Sequence, residues 1–307
     1  MLRKTLALSP LASNLALCAL LALPACGSES NPADSADSTS SGDESAETQE
    51  GEESAGETAG ETGQVPLDPD QLILFEGVTF YDGYAGLVDE PVPEGVIRLR
   101  NDLYAKKLSQ EELDRVQNTL TAELHVKALC DNYDRLGHIF LAFVPEGSET
   151  YDPAEVTRVE IARLVTPFMN MNLEPSIVPF SWDISDAISL LRDPALLEGN
   201  EVWVELSVFG VPYAANTEIN GCDGRNDTSQ GFLAFKTDQT ADAPEWDLHI
   251  PIAVNEAFNN YQDGASDAVG TTKKTRMFTL DKDTEETQLV LITSNHGANA
   301  GGEDYNR

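Results

Sequence analysis

The chain has 307 residues, with 53 acids against 19 Lys and Arg, a formal charge of −34 at pH 7, and 41 % hydrophobic positions. Nucleic acid and anionic lipid surfaces are excluded as partners, because binding a polyanion depends on basic clusters that this sequence lacks. Beyond the first thirty residues no run approaches the roughly 18 apolar residues of a membrane-spanning helix.

In chain order, Arg3 and Lys4 precede an apolar segment that is broken at Ser9, Pro10, Ser13 and Asn14 and resumes as LALCALLALPAC. This is the pattern of an export signal, expected over residues 1–25. Leu23-Pro24-Ala25-Cys26 approximates the lipobox of bacterial lipoproteins, with Pro24 departing from the usual small residue. The expectation is an exported protein anchored to a bacterial membrane or cell surface through lipid on Cys26, and touching the membrane by that lipid alone. An ordinary cleaved signal with Cys26 as a bystander stays open. Residues 27–66 hold eleven acids, no Lys or Arg and no aromatic residue. Low hydrophobicity with charge of one sign predicts a disordered, self-repelling tether over 26–67.

From Leu67 onward, 17 Lys and Arg face 42 acids, so the folded part is itself near −25. Strands are predicted at 95–100, 120–129, 138–144, 159–165, 200–210, 231–237 and 287–294, separated by Asp, Gly and Pro clusters. Ser109-Gln110-Glu111-Glu112 is a capping box, and Leu113, Val116 and Leu120 follow at helical spacing, so a short helix is expected over 110–118. A second helical turn is expected within 186–197, interrupted at Pro194. Short strands without strand–helix alternation argue an all-β, antiparallel sandwich or jelly roll over 68–240. A polar, Pro-containing break at 236–247 marks a candidate boundary. Residues 241–307 hold too few strands to close a second sandwich, so the expectation is a second jelly roll that is truncated. Of the cysteines outside the signal, Cys130 and Cys222 are expected to pair in an oxidising compartment, the alternative being two buried thiols.

The stretch LCDNYDRLGHIFLAFV, 129–144, sets Asp131, Asp134 and Arg135 at the mouth of an apolar run that reads as a core strand. The ordered blocks Cys130-Asp131-Asn132-Tyr133-Asp134-Arg135, then Glu160-Ile161-Ala162-Arg163-Leu164-Val165-Thr166-Pro167, then Trp182-Asp183-Ile184-Ser185-Asp186 resemble the N-terminal domain of bacterial peptide-N-glycosidase F. The resemblance implies two side-by-side jelly rolls with a cleft between them. It also implies metal-independent hydrolysis of the amide between an asparagine side chain and the first N-acetylglucosamine of an N-linked glycan. It places Asp134 at the principal catalytic carboxylate and Arg135 at a substrate-contacting arginine. Glu303 and Arg307 match a Glu-x-x-x-Arg segment of the second domain, and imply a further carboxylate and a substrate contact. Amide hydrolysis without a metal needs such groups: a carboxylate to activate water, a donor for the oxyanion, and an acid near the leaving nitrogen.

Two departures accompany the resemblance. Ser207 stands where the family carries a glutamate, with Glu205 two residues earlier on the same strand face as the substitute. Cys130 stands alone where the family has a nearby pair. The implied partners are N-linked glycoproteins or glycopeptides, with the chain acting as a monomer and needing no cofactor. Competing readings remain. Asp134 and Arg135 could be a structural ion pair, Glu160 and Arg163 an exposed cross-strand pair, and Trp182, Trp203 and Trp246 core residues. His125, His138, His249 and His296 have no metal-ligand spacing, and Met169 and Met171 lack the histidine company a copper site needs. A glycan- or protein-binding lipoprotein without turnover, or an inactive fragment of a longer enzyme, is the alternative function.

Overall fold

The computed structural model describes residues 71–212, 215–254, 275–280, 283–294, 298–299 and 302–303. Cys26 and the segments 1–25 and 26–67, expected to be a signal and a tether, lie outside the described residues. Its elements are β1 (Leu72–Tyr81), β2 (Val96–Arg100), β3 (Leu103–Lys107), α1 (Gln110–Arg115), β4 (Thr119–Ala128), β5 (Leu136–Pro145), β6 (Thr157–Val165), β7 (Ile177–Asp183), α2 (Ala187–Arg192), α3 (Pro194–Leu197), β8 (Asn200–Val208), α4 (Ala215–Glu218), β9 (Asp227–Asp238), β10 (Ala298–Asn299) and β11 (Gly302–Glu303).

β4 shows why the chain forms sheets. Leu120, Ala122, Leu124, Val126 and Ala128 alternate with Thr119, Thr121, Glu123, His125 and Lys127, and the first set is buried while the second is only partly so. That period of two turns one face to a core and the other towards water. A four-stranded sheet in the order β1-β9-β4-β7 packs in this way on a five-stranded sheet ordered β2-β3-β8-β5-β6. All the neighbours are antiparallel, so the fold is the expected all-β sandwich.

The central strands β5 and β8 are buried on both faces. Ile139, Leu141, Phe143, Val204 and Leu206 enter the main core between the sheets, whereas Ala142, Val144 and Trp203 form a second cluster on the outer face with Ala105. That outer face is covered in part by the β5–β6 connection, which contributes Tyr151 and Val156.

Three strands depart from the sequence reading. β1 pairs with β9 through several register shifts, and Gly77 adopts φ 83°, so its apolar residues do not alternate cleanly. β3 is short and ends in two lysines. β7 contains Pro179, tolerated because β7 lies at the sheet edge, where no neighbour requires its missing N–H. The helix expected over 110–118 stops at Arg115. Its capping box is formed as expected, with the Ser109 hydroxyl accepting from the Glu112 N–H and the Glu112 carboxylate accepting from the Ser109 N–H. Pro194 divides the second helical stretch and opens α3, capped by Asp193, whose Oδ1 accepts the Ala195 N–H at 2.8 Å.

The run 287–294 is corrected from strand to coil. It joins no ladder and leaves Leu289, Val290 and Leu291 exposed. An alternating sequence becomes a strand only where a neighbouring strand takes up its backbone groups. After β9, the strands among the described residues are β10 and β11, a two-residue pair.

Candidate functional site

β4 ends, and β5 begins, at the end of the sandwich where β1, β6 and β8 also terminate. The loops there are sewn together by backbone hydrogen bonds. Asp82 N–H donates to Asn226, Gly83 N–H to Gly210, Cys130 N–H to Asp227, Phe209 N–H to Leu136 and Thr166 N–H to Arg135, all at 2.8–3.1 Å. The expected disulfide is present: Cys130 and Cys222 are bonded across 92 residues, with Cα atoms 5.5 Å apart, and both are fully buried. It ties the β4–β5 loop to the β8–β9 connection, so the segment carrying the three charges is anchored at its N-terminal end.

Within this loop the ion pair is not between Asp134 and Arg135. Arg135 turns to Asp131, donating from Nε at 2.6 Å and from Nη2 at 3.0 Å. Asp131 is itself buried and also accepts the N–H groups of Val211 at 2.8 Å and Tyr133 at 3.0 Å. The two-pronged contact fixes the guanidinium plane. Its carbon lies 5.2 Å from the centre of the Tyr133 ring and 5.8 Å from that of Phe209. The Arg135 N–H donates to the Thr166 hydroxyl at 2.8 Å, which sets the direction in which β5 leaves. Asp134, between these anchored neighbours, has a side chain that is only 3 % exposed. A carboxylate and a preoriented guanidinium therefore sit on consecutive residues of a rigid loop.

The sequence sets Asp131 at the mouth of β5 but assigns it no role in the site. Its spacing of four from Arg135 was the available signal. The aromatic walls Tyr133 and Phe209 came from segments 76 residues apart, which no local pattern links.

Glu205 lies elsewhere. It is fully buried on the outer face of β8, and Arg158 donates to it from Nε at 2.9 Å and through a short contact from Nη2. Tyr151 donates its hydroxyl to Oε1 at 2.9 Å. Burial, then the neighbouring carboxylate, push the Tyr151 hydroxyl far above its ordinary value, so this phenol remains a donor. Both oxygens of Glu205 are thus committed to protein partners. Ser207, on the same face, is buried opposite His138 of β5.

Next to it, Glu160 and Arg163 are a near-buried group instead of the exposed pair expected from sequence. Arg163 donates to Glu160 at 2.6 and 2.9 Å, and His138 Nδ1 lies 2.9 Å from Glu160 Oε1. Burial pushes the Glu160 carboxyl up, but the hydrogen bonds and charges of His138 and Arg163 outweigh it and hold the group below its ordinary value. The register shift between Ile139 and Phe140 brings Glu160 and Arg163 to the face His138 occupies.

Glu303 is on β11, its backbone paired with Ala298, and its side chain and Arg307 lie outside the described residues. Asp238 pairs with Thr119, at the end of the sandwich opposite Asp134. There Gln288 reaches back to Asp186, next to α2, at 3.4 Å. Among the described residues, no group of three or more His, Cys, Asp or Glu is arranged to hold a metal.

Residues 71–223 match the family model for the N-terminal domain of peptide-N-glycosidase F. The chain carries this peptide-N-glycosidase F domain. No curated protein matches the sequence. The match contains every strand up to β8 together with the Asp131–Arg135 loop and both cysteines of the disulfide. It stops just before β9, the strand that joins β1 to β4 in the first sheet of this peptide-N-glycosidase F domain.

Proposed function

We propose that the chain is a peptide-N-glycosidase F-like amidase that hydrolyses the bond between asparagine and N-acetylglucosamine in N-linked glycoproteins. The observation that carries this reading is the β4–β5 loop, in which Asp134 is buried beside an arginine that Asp131 holds in a fixed plane between two aromatic rings. In this mechanism Asp134 accepts a proton from water as the oxygen attacks the amide carbonyl. Arg135 orients the first sugar, and its fixed plane spares the cost of ordering a long side chain during binding. Glu303, carried on the β10–β11 pair, would protonate the leaving nitrogen, and Arg307 would hold the substrate. Export and a lipid on Cys26 would place the domain outside the cell, where the acidic segment 26–67 holds it off the membrane. The disulfide is the kind of bond such a compartment sustains.

A second reading is favoured by Glu205. With its carboxylate bound to Arg158 and Tyr151 it offers no substitute for the family glutamate at Ser207, and a domain short of that group would bind glycans without cleaving them. Incubation of residues 67–307 with a denatured N-glycoprotein, followed by mass spectrometry, separates the two. Asn-to-Asp conversion at glycan sites, abolished in Asp134→Asn, is the expected result. Glycan binding without conversion in the unsubstituted chain would reject the amidase.

A further inference from the structure

We propose that Tyr84, on the β1–β2 loop, is a stacking platform for a pyranose ring and extends the site around Arg135 into a glycan-binding surface. The inference deepens the functional reading above and rests on it.

The loop 82–94 is held in place with unusual thoroughness. Asn101, buried beneath it, donates from Nδ2 to the carbonyls of Asp82 and Gly86 and accepts the Val88 N–H, at 2.9–3.1 Å. Arg98 donates to the carbonyls of Val88 and Glu90 at 2.9 and 2.8 Å. Asp82 Oδ1 accepts the N–H of Tyr84 itself at 2.9 Å. Yet the side chain presented by this scaffold is 80 % exposed. Ordering a loop to hold an aromatic ring in water contributes little to folding, since the ring buries little apolar surface. It does lower the cost of binding, because a preordered ring loses little freedom when a ligand covers it.

The ring is continuous with the site. Tyr84 meets Phe209 edge-on, with centroids 5.3 Å apart, and Phe209 in turn flanks the Arg135 guanidinium. Gly83 permits this contact: a Cβ there would stand 2.5 Å from Phe209 Cε2. The hollow beside Phe209 and Arg135 is also lined by Thr228 and Ser229, both of them buried. The exposed face of Tyr84 matches a sugar, which presents C–H groups on one face to stack on an aromatic ring and hydroxyls at its edge that stay in water.

Calorimetric titration of the full chain with an oligomer of N-acetylglucosamine, and in parallel with an unglycosylated Asn-containing peptide, tests the assignment. Tyr84→Ala is expected to weaken oligosaccharide binding about five- to tenfold and Tyr84→Trp to preserve it, with no change for the peptide. Equal oligosaccharide affinity in Tyr84→Ala and the unsubstituted chain would overturn the proposal, as would the absence of oligosaccharide binding. A loss confined to the peptide would overturn it as well. Failure of the amidase reading looks different: oligosaccharide binding that depends on Tyr84, with no Asn-to-Asp conversion.

Discussion

Replacing both Cys130 and Cys222 with alanine should cost the domain several kcal/mol, because the bridge closes a loop of 92 residues. Removing that constraint returns conformational entropy to the unfolded chain. For a loop of this length, the chain-entropy relation gives about 4–5 kcal/mol at 25 °C. The native state should change less. Both sulfurs are buried, with Met171 Sδ at 3.5 Å from Cys222 and 4.0 Å from Cys130, so deleting them leaves a small apolar gap that adds to the loss. For a domain of this size the sum corresponds to a fall in Tm of roughly 10–18 °C. Calorimetry of the double variant, alongside the unsubstituted chain refolded in reductant, separates the entropic part from the gap. A Tm within about 2 °C of the unsubstituted chain would refute the reasoning. It would mean that the loop from Leu129 to Arg135 is held by its hydrogen bonds and the Asp131–Arg135 pair alone.

Other expectations follow from the same geometry. Glu205→Ala strands Arg158 on the outer sheet face and should destabilise by about 3–5 kcal/mol in urea unfolding, while Glu205→Leu with Arg158→Met should recover most of it. A single loss below about 1 kcal/mol would show that water reaches and screens the arginine. Glu160 has a depressed folded-state pKa, so its contribution is present above the unfolded carboxylate value and is lost as pH falls through the lower folded one. The stability difference between the unsubstituted chain and Glu160→Gln should therefore shrink as pH is lowered from about 5, and a difference independent of pH would contradict it. Gly210→Ala would set a Cβ 2.5 Å from that of Thr228 and is expected to cost about 1–3 kcal/mol in thermal melts, whereas an unchanged Tm would show that the loop yields.

Alternation of apolar and polar residues made most strands of the sandwich readable, β4 most clearly, because period two is a local property that burial of one sheet face enforces. Strands whose pattern is set by their neighbours were hidden. β7 breaks its own pattern with Pro179 and survives as an edge, and β1 bends at Gly77 to follow β9. The converse error was 287–294, alternating in sequence but given no partner in space.

At the site, the residue types and order of the Cys130–Arg135 block carried the family and the candidate carboxylate, and compartment chemistry carried the disulfide. Only the tertiary structure decided which acid holds Arg135, that Glu205 is spent on Arg158 and Tyr151, and that Tyr84 stands beside Phe209. The reason is physical. Chain-local spacing governs turns, caps and face alternation, whereas an ion pair or ring contact depends on which strand ends the two sheets bring together, and residues such as Glu205 and Arg158 meet only after β5, β6 and β8 have paired.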